Sequence, residues 1–265
     1  MNALIRAEFR KLLSTRLWWW ALAVAVGLGA GLTGLLTLVG PENFDPPMPG
    51  LHTEDGVRTV LGMLGFTVII PAALGTLAMT SEYRHGTITH TFLFAPRRRQ
   101  VLIAKTVVFG TAGLVYGTVL TATAAAAFFG GTAARGVTSA MATAEVLQLL
   151  ARLAVTMAVY TLLGVAAGAL IRHQVAALAL VVGYLYMGEL TLTVIPGVKL
   201  AYPLLPGGAT ASLTGFTYIA DSLAGQLATR PVPLLPPWGA ALLLTGYALL
   251  AAIAAVLVPM RRDVR

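Results

Sequence analysis

The sequence predicts an all-α polytopic membrane protein: six transmembrane helices behind an N-terminal amphipathic interfacial helix, in a single transmembrane domain over residues 1–265. Three observations predict it. Hydrophobic residues make up 57% of the chain, charged residues only 11%, and the mean hydropathy is +0.82, whereas a soluble domain covers its surface with about 25% charged residues. The apolar residues gather in runs of at least about 20, the length that crosses a hydrocarbon core roughly 30 Å thick. The alternating period of a membrane barrel is absent from those runs, which leaves helices as the way to satisfy backbone groups in lipid.

The elements follow in order. In residues 2–16, NALIRAEFRKLLSTR, Ile5, Phe9, Leu12 and Leu13 share one side of a helix, with Arg6, Arg10 and Lys11 around the other. Such a helix lies along inner headgroups before the chain turns into the bilayer. Basic residues ahead of an apolar run can also open a secretory signal, but this run of about 22 residues exceeds the usual 7–15 and no clear A-x-A site follows it. The spans are residues 18–39, 59–80, 101–129, 146–171, 175–195 and 238–258. Trp18, Trp19 and Trp20 suit an interfacial aromatic belt at the first entry. Pro71 predicts a kink in the second span. Gly27 with Gly31, and Gly164 with Gly168, have small-xxx-small spacing, which is either chance in a chain with 28 Gly or a dimer interface. Between the last two spans, residues 196–237 hold seven prolines among mildly apolar stretches, which suit either short helices dipping back into the membrane or a surface loop.

Orientation follows from the basic residues. With the N-terminus inside, segments 1–17, 81–105, 172–174 and 259–265 hold 13 of the 18 Lys and Arg, and outer positions hold Arg58, Arg135, Arg152, Lys199 and Arg230. The positive-inside rule therefore puts both termini in the cytoplasm. The formal net charge of +8 is read as topology, with anionic lipid headgroups as partner and no nucleic acid, because the cations sit at the ends of apolar runs. The absence of Cys excludes disulfides and thiolate metal sites. Arg outnumbers Lys 15 to 3, a composition that points to a GC-rich bacterium and so to its cytoplasmic membrane.

Two charges fall inside spans. Arg152 in the fourth and Glu189 in the fifth lie at similar depth on either side of a tight turn, so they form an intramembrane ion pair or else snorkel separately to the outer headgroups.

The longest cytoplasmic connection, SEYRHGTITHTFLFAPRRRQVLIAK at residues 81–105, is the one large enough to carry structure. Thr87 can cap a short helix with Ile88, Phe92 and Leu93 on its apolar side, and Pro96 ends it. Apolar Phe92, Leu93 and Phe94 among charges on an exposed loop call for a partner surface; an ordinary loop with flanking charges is the plainer alternative.

The order E-Y-R-x-G-T (Glu82, Tyr83, Arg84, Gly86, Thr87), then A-P-R-R-R at 95–99, then Lys105 opening an apolar run, resembles the membrane subunit of type-2 ATP-binding-cassette exporters. A-E-F-R-K-L at 7–12 and the plan of six spans with a long segment before the last are similar to the same family. The resemblance implies a permease subunit of an exporter, assembled as a dimer around the translocation path and driven by a separate ATPase subunit that binds the ATP. Residues 81–100 then become the coupling loop. Glu82, Tyr83, Arg84, Gly86, Thr87, Ile88, Phe92, Leu93 and Phe94 become its docking element, and residues 1–17 the interfacial helix. A second copy of the chain is the expected partner.

No enzyme activity is expected of the chain itself. None of Lys11, Lys105 and Lys199 follows a G-x-x-x-x-G-K pattern, so no phosphate-binding loop exists. There is no H-E-x-x-H, and His85 and His90 at i, i+5 point to different helix faces, so no catalytic, cofactor or metal residues are assigned. The competing class is a gradient-driven secondary transporter or channel, for which Arg152 and Glu189 are the charges at membrane depth.

Overall fold

A computed structural model describes residues 1–84, 98–171, 173–195, 198–218 and 234–257. Helix α1 (Asn2–Ser14) breaks at Thr15, whose extended backbone turns the chain into α2 (Arg16–Val39). The second run starts at α3 (Glu54–Gly62), where the Thr53 side chain accepts from the Gly56 N–H at 3.1 Å and so caps a free amide. It tightens to a 3-10 turn over Met63–Val68 and continues as α4 (Ile69–Arg84). The change of helix type has a local cause: Pro71 lacks an N–H and its ring would crowd the carbonyl four residues back. The expected kink therefore takes the form of a 3-10 segment on the N-terminal side of Pro71.

Next come α5 (Arg98–Arg135), α6 (Thr143–Leu170) and α7 (Gln174–Gly183). At 38 residues, α5 is about 57 Å long at 1.5 Å per residue, well beyond the hydrocarbon core, so it tilts or projects past it. A π turn at Tyr184–Gly188 joins α7 to α8 (Glu189–Val194), a 3-10 turn covers Val198–Leu204, and α9 (Pro206–Thr214) and α10 (Pro237–Leu257) complete the described chain.

Every extended element among the described residues is helical, and five helical runs are long and apolar enough to cross a membrane: Arg16–Val39, Glu54–Arg84, Gln100–Arg135, Thr143–Leu170 and Pro237–Ala254. They match five of the six expected spans. The expected fifth, 175–195, is helical but not one α-helix. Its uninterrupted apolar part is Gln174–Gly183, and the π turn admits an extra residue before Glu189.

Helix α6 is the hub. It packs against α4, α5 and α10, while α2 packs along α5. Tyr116, Leu120 and Phe128 of α5 meet Leu153, Met157 and Tyr160 of α6 and Val60, Leu61 and Leu64 of the second run in one buried core. Close approach of α4 and α6 requires glycine: a Cβ at Gly75 would overlap the Thr161 carbonyl, and one at Gly164 the Ala72 carbonyl. Gly164 and Gly168 are thus used within the chain, against Ala72 and Thr76 of α4. A Cβ at Gly27 or Gly31 of α2 meets nothing within 4 Å.

Candidate functional site

At the end of the bundle where the basic residues gather, four charged side chains from three elements close into one network. Lys105, near the start of α5, reaches Glu8 Oε2 of α1 at 2.9 Å and Glu82 Oε1 of α4 at 3.0 Å. Lys11 of α1 also pairs with Glu82. Lys105 is 2% and Glu82 3% exposed. A single buried ion would cost several kcal/mol, so these charges persist because two cations face two anions. Phe109 lies 5.6 Å from Lys105 Nζ and adds its ring face to the cation.

The network joins the two helices that flank residues 85–97 and ties both to α1. Glu82 faces inward, to Lys105 and Lys11. Tyr83 is half-buried and packs on the cluster that contains Met79, Leu102 and Val165. Arg84 donates to Gln174 Oε1 at 3.1 Å, linking the end of α4 to the start of α7. Gly86, Thr87, Ile88, Phe92, Leu93 and Phe94 lie outside the described residues. The sequence places Glu8 and Lys11 in the A-E-F-R-K-L motif and Lys105 at the start of an apolar run, but does not single out any of the three as a pairing partner of Glu82. The signal available was an acidic residue on an otherwise basic helix.

A second charged arrangement occupies the far end of α6. Arg152 and Glu189 are not brought together; they serve opposite ends of α9. The Glu189 carboxylate lies against the first turn of α9, at Gly207, next to its free backbone N–H groups. A Cβ at Gly207 would overlap that carboxylate, so glycine permits the approach. At the other end, Arg152 Nη1 donates to the Leu213 carbonyl at 3.3 Å, and Gly215 closes the helix in the left-handed region at φ 66°. An anion at the first turn and a cation at the last both complement the helix dipole. In place of an ion pair, the two residues therefore clamp one short helix. Tyr160 meets Thr210 Oγ1 at 3.3 Å, holding α9 against α6, Ala209 and Leu213 pack with Ala240 and Leu244 of α10, and Tyr247 donates to the Leu204 carbonyl at 2.7 Å, tying the 3-10 turn ahead of α9 to α10.

Nearby, outside the spans, Arg135 Nη2 lies 2.6 Å from Glu42 Oε1 and joins the ends of α5 and α2. The guanidinium holds the Glu42 carboxyl below its ordinary value, chiefly through this hydrogen bond. Among the described residues no three His, Asp or Glu side chains gather in a metal-binding group.

The model of the family described as ABC-2 family transporter protein matches residues 4–188, more than half of the 265-residue chain. That range contains all four members of the Glu8, Lys11, Glu82 and Lys105 network, and it stops one residue short of Glu189. No curated protein matches the chain.

Proposed function

Since the chain belongs to the ABC-2 family of transporter proteins, we propose that it is the permease subunit of an ATP-binding-cassette exporter, in which two copies enclose the path and a separate ATPase supplies the work. The observation that carries this reading is the family match across the first four apolar runs and the start of the next. The basic end faces the cytoplasm of a bacterial cell on the charge asymmetry of the sequence, α1 rests along the inner headgroups, and Gln174–Val194 completes a sixth crossing.

The geometry supports a way to transmit force. Residues 85–97 leave α4 just after Glu82, Tyr83 and Arg84 and enter α5 seven residues before Lys105. The ATPase docks on this loop, with Phe92, Leu93 and Phe94 as its apolar contact. Because Glu82 and Lys105 cross-link the flanking helices, and Glu8 and Lys11 bind α1 to both, a push on the loop moves α1, α4 and α5 as one body. Rigid-body motion of packed helices is the usual form of such coupling. Glu82 thus acts as a positioning residue behind the docking surface.

The gradient-driven alternative rests on Glu189, whose Oε1 is buried with no hydrogen-bond partner among the described residues. Its other oxygen is committed to α9, a structural use that asks for no ion.

The test is co-expression with an ATP-binding-cassette ATPase subunit from the same genome, followed by affinity purification and measurement of ATP turnover in liposomes. The pair should purify together, and replacing Phe92 and Leu93 with Ser should abolish stimulation while the permease still inserts. Undiminished stimulation by that variant sinks the docking assignment. Transport that persists without any ATPase and stops on collapse of the proton gradient sinks the exporter.

A further inference from the structure

Beneath α1, at the basic end, lies a cavity of about 260 Å³. Trp18 of α2 forms one wall, Leu74, Leu77 and Ala78 of α4 the other, and Phe109 and Ala112 of α5 lie behind them. Most of the lining is apolar. Its charged groups are Lys11, Glu8 and Lys105, members of the network described above, and Thr15, Ser81, Thr161 and Gln174 are its other polar side chains.

Size and polarity narrow the occupant. Drug-sized ligands take about 300–1,000 Å³ and meet several polar groups placed around them. This slot is smaller and mostly apolar, a character that suits a hydrocarbon chain. The segment over the cavity is positive beyond the paired Lys11: Arg6, Arg10 and Arg16 of residues 1–17 are all exposed and none forms an ion pair among the described residues, while Glu8, the single acid of that segment, is turned inward onto Lys105. Lys11 keeps Glu82 with one of its three N–H donors and has others to offer. We propose that the slot holds one acyl chain of an anionic phospholipid, its phosphate against Lys11 and the flanking arginines. The lipid acts as a fixed structural ligand that fills the space between α2 and α4 and keeps α1 docked on the charge network.

The experiment uses the full chain in nanodiscs of phosphatidylcholine doped with a phosphatidylglycerol that carries a photoactivatable diazirine in its acyl chain. Label should concentrate on peptides containing Trp18, Leu77 and Phe109. Unlabelled phosphatidylglycerol should compete at least tenfold better than phosphatidylcholine, and Lys11→Gln should remove most of that preference. Ala78→Phe fills the slot and should cut labelling several-fold, whereas Val155→Phe, at a position 57% exposed on α6, should leave it unchanged. If Ala78→Phe loses helix content, Leu74→Trp is the second filler. Label spread evenly over α10 and the slot, or undisturbed by a folded filler, overturns the site. Equal competition by the two phospholipids, or competition by free fatty acid alone, overturns an anionic phospholipid as occupant. No ATPase takes part, so these outcomes are independent of the exporter reading.

Discussion

Lys105 is surrounded by protein, yet it is charged, and its environment explains why: two carboxylates from different helices lie within 3.0 Å. Removing the cation leaves Glu82 with Lys11 alone and takes from Glu8 its lysine partner. Lys105→Met should therefore destabilise the protein by about 3–5 kcal/mol, the usual cost of breaking a buried pair, seen as a large drop in the thermal midpoint in mild detergent. Adding Glu8→Gln and Glu82→Gln should recover much of the loss, because the one charge of the network that remains, Lys11, is half exposed to solvent. If the triple variant is no more stable than Lys105→Met, the network is not the cause. Glu42 offers a simpler titration. Its carboxyl is held below its ordinary value of 4.5, chiefly by the hydrogen bond from Arg135, so the contact contributes fully above about pH 4.5 and fades as pH falls through the lower folded value. Glu42→Gln should flatten that acid limb of the midpoint-against-pH curve and change little at pH 7; an unaltered acid limb would remove Glu42 as its source.

At the scale of elements, hydropathy located α2, α6 and α10 to within a few residues, because burial in lipid is an average property of some 20 side chains. It did not reveal the π turn at Tyr184–Gly188 or the role of α9, since both depend on which residues meet across the fold. Glu189 and Arg152 illustrate the limit. Their spacing from the turn suggests similar depth, but the helix inserted between them was not legible, although Pro206 followed by two glycines is a helix-start pattern that leaves room for an anion. In the charge network, Glu82 and Lys105 were legible as neighbours of the loop, but pairing with Glu8 requires α1 to be folded back on α5. The clamp on α9 carries a prediction. The helix has nine residues and is about 13 Å long, so Arg152 and Glu189 act at separate ends. Arg152→Met and Glu189→Gln should each cost about 0.5–2 kcal/mol as lost caps and add to within about 0.5 kcal/mol. Gly207→Ala should mimic Glu189→Gln by pushing the carboxylate away. Recovery of stability in a charge-swapped Arg152→Glu, Glu189→Arg variant would instead show a direct pair and refute the clamp.

For the whole molecule, one face of α2 is left without a neighbour among the described residues. Gly29 packs on the Leu120 carbonyl of α5, while a Cβ at Gly27 or Gly31 would meet nothing within 4 Å. Leu35 and Leu38, further along α2, are more than half exposed. Small residues four apart let two helix backbones approach closely in lipid, where packing rather than hydrophobic burial drives association. An isologous contact through this face would pair each α2 with its copy about a twofold axis, the commonest arrangement for a single gene product. The chain has no Cys, so a single introduced thiol reports one position without background. Gly31→Cys, oxidised in native membranes, should give a band at twice the monomer mass of 27.6 kDa, and Leu242→Cys, at an exposed position of α10, should give far less. The parent protein in detergent should have the mass of two copies. A monomeric mass with no cross-link from Gly31 would eliminate the twofold contact through α2. A dimeric mass with cross-linking from Leu242 alone would move the interface to α10, and leave the glycine face of α2 to lipid.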